Sequence, residues 1–166
     1  IMDKTGNQKL AAMLVGNAGA ESNFNPYAMH DRNTGFGLWG HGKDRWQDMQ
    51  KFTGMAKPGW QQQADFAIHE MMTSPKVGAA RAALRLAKDP REIALAGMHF
   101  ERPQGYSLSN PSGGMGFAKR YANIADIYKF GDASHMKMSA ALPSMAAQNS
   151  YGYISPSNTG YTGSGG

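Results

Sequence analysis

The stretch Gly16-Asn17-Ala18-Gly19-Ala20-Glu21-Ser22-Asn23-Phe24-Asn25-Pro26 decides how this chain is read. It sets one glutamate at the end of an apolar helical run and stops the helix just beyond it. Leu10, Met13, Leu14 and Val15 supply the apolar side, and Leu10, Leu14, Asn17 and Glu21 follow one another along a single stripe at helical spacing. Asn25 precedes a proline and is pushed out of the α region, so the helix is predicted to end before Pro26. Glu21 is then expected on the last turn, facing inward beside an irregular loop that lines a cleft. Partial desolvation and the negative end of the helix dipole there favour a carboxyl that keeps its proton. A glycosidase uses such a group to protonate a leaving oxygen. The competing reading is a capping or surface glutamate, the common fate of this residue type.

Outward from this block the periodicity is helical almost throughout. Helices are predicted over 8–20, 45–53, 59–72, 75–87, 90–100 and 117–129, the third carrying Trp60, Ala64, Ala67, Ile68, Met71 and Met72 on one face. Asp44 is expected to cap the helix over 45–53, and Asp89-Pro90 carries the cap and first-turn signature of the helix that follows. Phe117, Tyr121, Ile124 and Tyr128 form the expected apolar stripe of the last helix. Residues 22–42 are dense in Gly, Asn, Pro and Asp and read as loop, with a short two-stranded ribbon around Thr34 to Leu38. Residues 103–116 form a second Gly/Ser/Pro loop. Beyond about Gly131 the helical period ends, and residues 139–166 carry no charged side chain. The fold class expected is mainly α, with at most a short β-ribbon and an irregular C-terminal tail. Residues 1–130 are expected to form the domain, and 131–166 a linker or partner-binding tail leading into a longer polypeptide. Tyr151, Tyr153 and Tyr161 are its candidate docking points.

With 166 residues the chain has room for one domain with a proper core. A formal charge of +5 and a pI near 9.5 favour polyanionic partners. No basic run with interleaved aromatics marks a specific nucleic-acid surface. The absence of cysteine excludes disulfides and Cys-ligated metal sites. No apolar stretch approaches the ~20 residues of a membrane span, and no signal peptide is visible. Ile1 in place of a starting Met predicts a piece of a longer polypeptide.

In order along the chain come Gly16-Asn17, Glu21-Ser22, Asn25-Pro26, Gly35-Phe36-Gly37-Leu38, Asp44-Arg45-Trp46, His69-Glu70, Phe100-Glu101-Arg102-Pro103 and Arg120-Tyr121-Ala122. Over roughly residues 8–128 this series resembles the lysozyme-like peptidoglycan hydrolases of bacteriophage tails. The resemblance implies a lysozyme-type helical fold and attack on the glycan strand of peptidoglycan. It also implies a place in a virion, in the tail or among internal ejection proteins, acting on the host cell wall or periplasm. One departure stands out. The family usually has Gln-Trp shortly after Gly-Leu, whereas this chain reads Leu38-Trp39-Gly40-His41, with the tryptophan displaced and the glutamine absent.

Glu21 is the candidate general acid. Asp31, ten positions on in the polar loop, is the candidate base for an inverting mechanism, which needs carboxyls about 6.5–9.5 Å apart. Asp31 reads equally as a turn residue. A lytic transglycosylase needs no second carboxylate, since the sugar's own hydroxyl attacks. Glu101 is expected to be an ion-pair partner of Arg102, Arg120 or another base, and Glu70 to support the core. The candidate substrate-binding residues are Asn25, Tyr27, Trp39, His41 and Tyr106; Trp39 and Tyr106 sit in Gly-rich loops where ring faces can meet sugar C–H surfaces. The five histidines show no zinc-protease spacing, so no metal and no cofactor is expected, and a zinc endopeptidase is the weaker enzymatic alternative. Expected partners are the glycan strand, other virion proteins through the tail, and possible further copies of the chain. Two readings follow: an enzyme cleaving the β-1,4 bond between amino sugars, or a virion component that keeps the fold for assembly.

Overall fold

The computed structural model describes residues 1–30 and 34–130. Among these, α1 (Met2–Thr5) and α2 (Gln8–Ser22) precede a small sheet of β1 (Met29–His30), β2 (Gly35–Phe36) and β3 (His41–Gly42). Helices α3 (Lys43–Thr53), α4 (Trp60–Thr73), α5 (Gly78–Leu86), α6 (Pro90–Glu101) and α7 (Phe117–Phe130) follow, with 3-10 turns at Pro75–Val77 and Pro111–Gly113. The protein is mainly α, as its periodicity predicts. The ribbon has three strands, not two. They pair antiparallel in the order β1-β2-β3, with Met29 opposite Phe36 and Phe36 opposite His41. The tail beyond residue 130 and its tyrosines lie outside the described residues.

The core lies where α2, α6 and α7 pack together, with α5 against α6. Leu10, Met13, Leu14 and Ala18 meet Ile93, Ala96, Phe100 and Ile124 there, all buried. Two glycines allow the close approach. A Cβ on Gly16 would lie 2.3 Å from Cγ1 of Ile124, and one on Gly97 would lie 2.6 Å from Oδ1 of Asn17. The Gly16-Asn17 pair is therefore a packing device: it seats α2 against α7 and α6.

Local chemistry sets the helix ends. Asn7 caps α2 by accepting from the Leu10 N–H, and Asp89 caps α6 by accepting from the Glu92 N–H. Asp44 does not cap α3. Gly42 occupies the cap without a side-chain bond, and Asp44 lies inside the first turn, where the dipole still favours an acid. Helix α2 stops at Ser22 because Asn23 and Phe24 both take left-handed backbone angles, φ 50° and 62°. Asparagine adopts that conformation readily and phenylalanine does not. Trp60 is exposed rather than packed, since it opens α4 and its ring has no preceding turn to cover. In α7, Tyr121 is exposed and its neighbour Arg120 is buried. Phe117, Ile124 and Tyr128 pack on the core as expected, and Arg120, paired with Glu21 and Glu101, takes the inward place expected of Tyr121.

Candidate active site

Glu21 lies on the last turn of α2 with its side chain 24% exposed, between two walls. On one side stands the turn joining β2 and β3. A Cβ on Gly40 would come within 3.0 Å of Oε1 of Glu21, and Gly40 has the positive φ that glycine alone takes freely. On the other side Arg120 of α7 donates from Nη2 to Oε2 of Glu21. The departure at Leu38-Trp39-Gly40-His41 thus falls on the backbone that touches the candidate acid. Glycine is what lets it approach.

The turn is held in place from beneath. Trp39 is buried, and its Nε1 donates to the Leu14 carbonyl at 2.8 Å. Gln63 of α4 is also buried; its Oε1 accepts from the Leu38 N–H, and its Nε2 donates to the carbonyls of Pro26 and Pro58. One amide therefore ties the loop after α2, the β2–β3 turn and the start of α4 together. Neither contact offers Trp39 to a sugar: the expected wall residue is part of the core.

His41 is likewise a correction. It is fully buried, not cleft-lining, packed edge-on to Trp39 and Phe100, with Nε2 3.3 Å from Oε2 of Glu70. Burial, aided by the charge of Arg45, lowers its pKa to about 4. The ring is neutral at pH 7, and its contact with Glu70 is a hydrogen bond rather than an ion pair. Arg45 binds Glu70 in a two-pronged arrangement, Nε to Oε1 at 2.9 Å and Nη2 to Oε2 at 2.7 Å, and gives Nη1 to the Phe100 carbonyl. Burial pushes Glu70 up, but the bonds from His41 and Arg45 and the charge of Arg45 outweigh it and hold it at about 2. Glu70 is thus a core support, as expected of it.

Beyond this cluster lies Glu101, at the end of α6. Its side chain is 3% exposed, and its Oε2 accepts from Nη2 of Arg120 at 3.3 Å. Arg120 gives Nη1 to the Met115 carbonyl. One guanidinium thus spans two glutamates and the 103–116 loop. Burial pushes Glu101 up; Arg120 draws it back and the charge of Glu21 opposes that, leaving it at about 8.

The remaining candidates are placed as follows. Asn25 is exposed and spends its Oδ1 on the Tyr27 N–H at 2.9 Å, a turn-forming bond. Tyr27 is exposed, with the Lys57 ammonium 4.4 Å from its ring centroid. Tyr106 is half-buried on the 103–116 loop, its hydroxyl 2.8 Å from Nδ1 of His99. Burial and the charge of Arg102 lower the pKa of His99. Asp31 lies outside the described residues. Gly40 and Gln63 build the site without standing out in the sequence. The signal for Gln63 is an amide amid the buried positions of α4, and for Gly40 its place within Leu38-Trp39-Gly40-His41. Among the described residues no three potential metal ligands converge, and no helix is long and apolar enough to cross a membrane.

The family model for phage tail lysozyme matches residues 1–130. No curated protein and no solved structure matches the chain.

Proposed function

The chain belongs to the phage tail lysozyme family, and from that premise we propose that it cleaves the β-1,4 glycosidic bond between the amino sugars of peptidoglycan, with Glu21 as general acid. The observation that carries this reading is the placement of Glu21. It is the one carboxyl on the last turn of α2, at a partly open position, with Gly40 on one side and Arg120 on the other. An acid must be reached by the leaving oxygen and still be shielded from bulk water, and a side chain about a quarter exposed meets both needs.

In this reading residues 1–130 are the catalytic domain and 131–166 a linker or partner-binding tail within a virion protein. Its action on the wall lets a tail or ejection machine cross it. Tyr27, Asn25 and Tyr106 supply contacts on the accessible surface, and Asp31 is the candidate water-activating base.

The test is turbidity loss of purified cell walls, comparing the parent with Glu21→Gln. The substitution keeps shape and hydrogen bonding but removes the transferable proton, and clearing should fall at least about a hundredfold. Retention of most of the rate would reject Glu21 as the acid. Asp31→Asn separates the routes: a loss of similar size marks hydrolysis through an activated water, and a small loss marks attack by the sugar's own hydroxyl.

A further inference from the structure

The reading of Glu21 as an acid leaves a question of supply, because the group that must give a proton is paired with a guanidinium. The structure sets a second carboxyl on the same nitrogen. Nη2 of Arg120 reaches Oε2 of Glu21 and Oε2 of Glu101, so one cation faces two potential anions. The two differ in exposure, Glu21 partly open and Glu101 closed. Oε1 of Glu101 and Nε of Arg120 are buried without a hydrogen-bond partner among the described residues. A buried carboxylate with one oxygen unpaired is costly, and the same carboxyl holding a proton is much less so.

We propose that Glu101 is the proton-holding partner of Glu21: across Arg120 the two carboxyl groups share one proton, which Glu101 keeps in the resting site and yields when a glycan strand covers Glu21. The exchange balances. The O–H bond of Glu101 breaks and that of Glu21 forms, while the guanidinium keeps its charge and shifts its pairing from Glu21 to Glu101. The net charge of the three groups is the same before and after, so covering the site adds no uncompensated ion. Covering Glu21 removes water from its carboxylate, which disfavours the charged form and drives the exchange. Glu101 acts through Glu21 and touches no substrate; it is a positioning residue for the proton.

The groups facing Glu101 are Arg120 from α7, Glu21 from α2 and Arg45 from α3, with Glu70 of α4 and His41 of β3 beyond Arg45. The α5 residue Arg81 is engaged elsewhere, on the carbonyls of Met71 and Ser74. Burial, opposed by Arg120 and Arg45 and helped by Glu21, leaves Glu101 titrating at about 8, so one shared proton is present at neutral pH.

The inference rests on the glycosidase reading for its purpose but not for its test. Carboxyl carbon NMR of the folded protein should show one group titrating near 8, and Glu21→Gln should move that titration down, because it removes the charge that raises it. Absence of any carboxyl titrating above 7, or a titration unmoved by Glu21→Gln, would overturn the proposal whether or not walls are cleaved. In the clearing assay, the wild-type rate should stay level up to about pH 8 and then fall. Glu101→Gln should instead show a rate that already declines with rising pH across the neutral range, since the proton held by Glu101 must then come from solvent. A Glu101→Gln rate lowered by one factor at every pH would mean a purely structural role.

Discussion

The indole Nε1 of Trp39 donates to the main-chain carbonyl of Leu14 at 2.8 Å, joining the β2–β3 turn to the middle of α2. This bond fixes the distance between the Gly40 backbone and Glu21, which lies on the last turn of the same helix. The two walls of the site are therefore set by a core contact rather than by the loop's own conformation. A tryptophan in a Gly-rich loop acts here as an anchor.

Trp39→Phe should keep most of the buried ring and lose the hydrogen bond, at a cost of about 0.5–1.5 kcal/mol. Urea unfolding measures it. Because the side chain is closed to solvent, KM for wall fragments should stay within about twofold. Unchanged stability together with a large rise in KM would instead make Trp39 a sugar contact.

Gln63→Leu fills much the same volume but strands the Leu38 N–H and the Pro26 and Pro58 carbonyls. Each stranded group costs about 1–3 kcal/mol, less where water reaches it. The total loss should reach several kcal/mol, and hydrogen exchange at the Leu38 amide should quicken ahead of exchange in α6. Equal protection of that amide in both proteins would mean the turn holds itself.

His41 makes the fold sensitive to acid. Its folded pKa, about 4, lies below the ordinary 6.5, so between these values the unfolded chain binds a proton that the folded one does not. The contribution of His41 to stability should therefore be complete above pH 6.5 and be lost as pH drops towards 4, by about 3 kcal/mol, against an opposite contribution from Glu101, whose raised pKa of about 8 adds stability as pH falls from 8 to 4.5. Glu70, held at about 2 against an ordinary 4.5, adds a further loss from 4.5 down to 2. His41→Phe should remove the His41 loss, so that its stability relative to the wild type rises as pH falls from 6.5 to 4, whatever its stability at neutral pH. A denaturation series in which the wild type and His41→Phe show the same slope there would refute this assignment.

Much of the fold could be read locally. The stripe of Leu10, Leu14, Asn17 and Glu21 gave α2 and its inward face, and Asp89-Pro90 gave the start of α6, because periodicity and capping depend on neighbours a few residues away. The place of Glu21 at a helix end followed from the same rules. Its surroundings did not. Arg120 reaches it from 99 residues away; the sequence offers Arg120 as a partner of Glu101, a pairing that forms, but its second pairing with Glu21 depends on how α7 packs against α2. His41 and Trp39 carry side chains equally suited to a cleft and to a core. Only the packing of α2, α4 and α6 around the turn removed them from water. Local chemistry determined which elements form and where they end. Long-range packing decided which polar groups are buried together, and hence which of the carboxyls is open and which holds a proton, because desolvation and charge pairing act through space rather than along the chain.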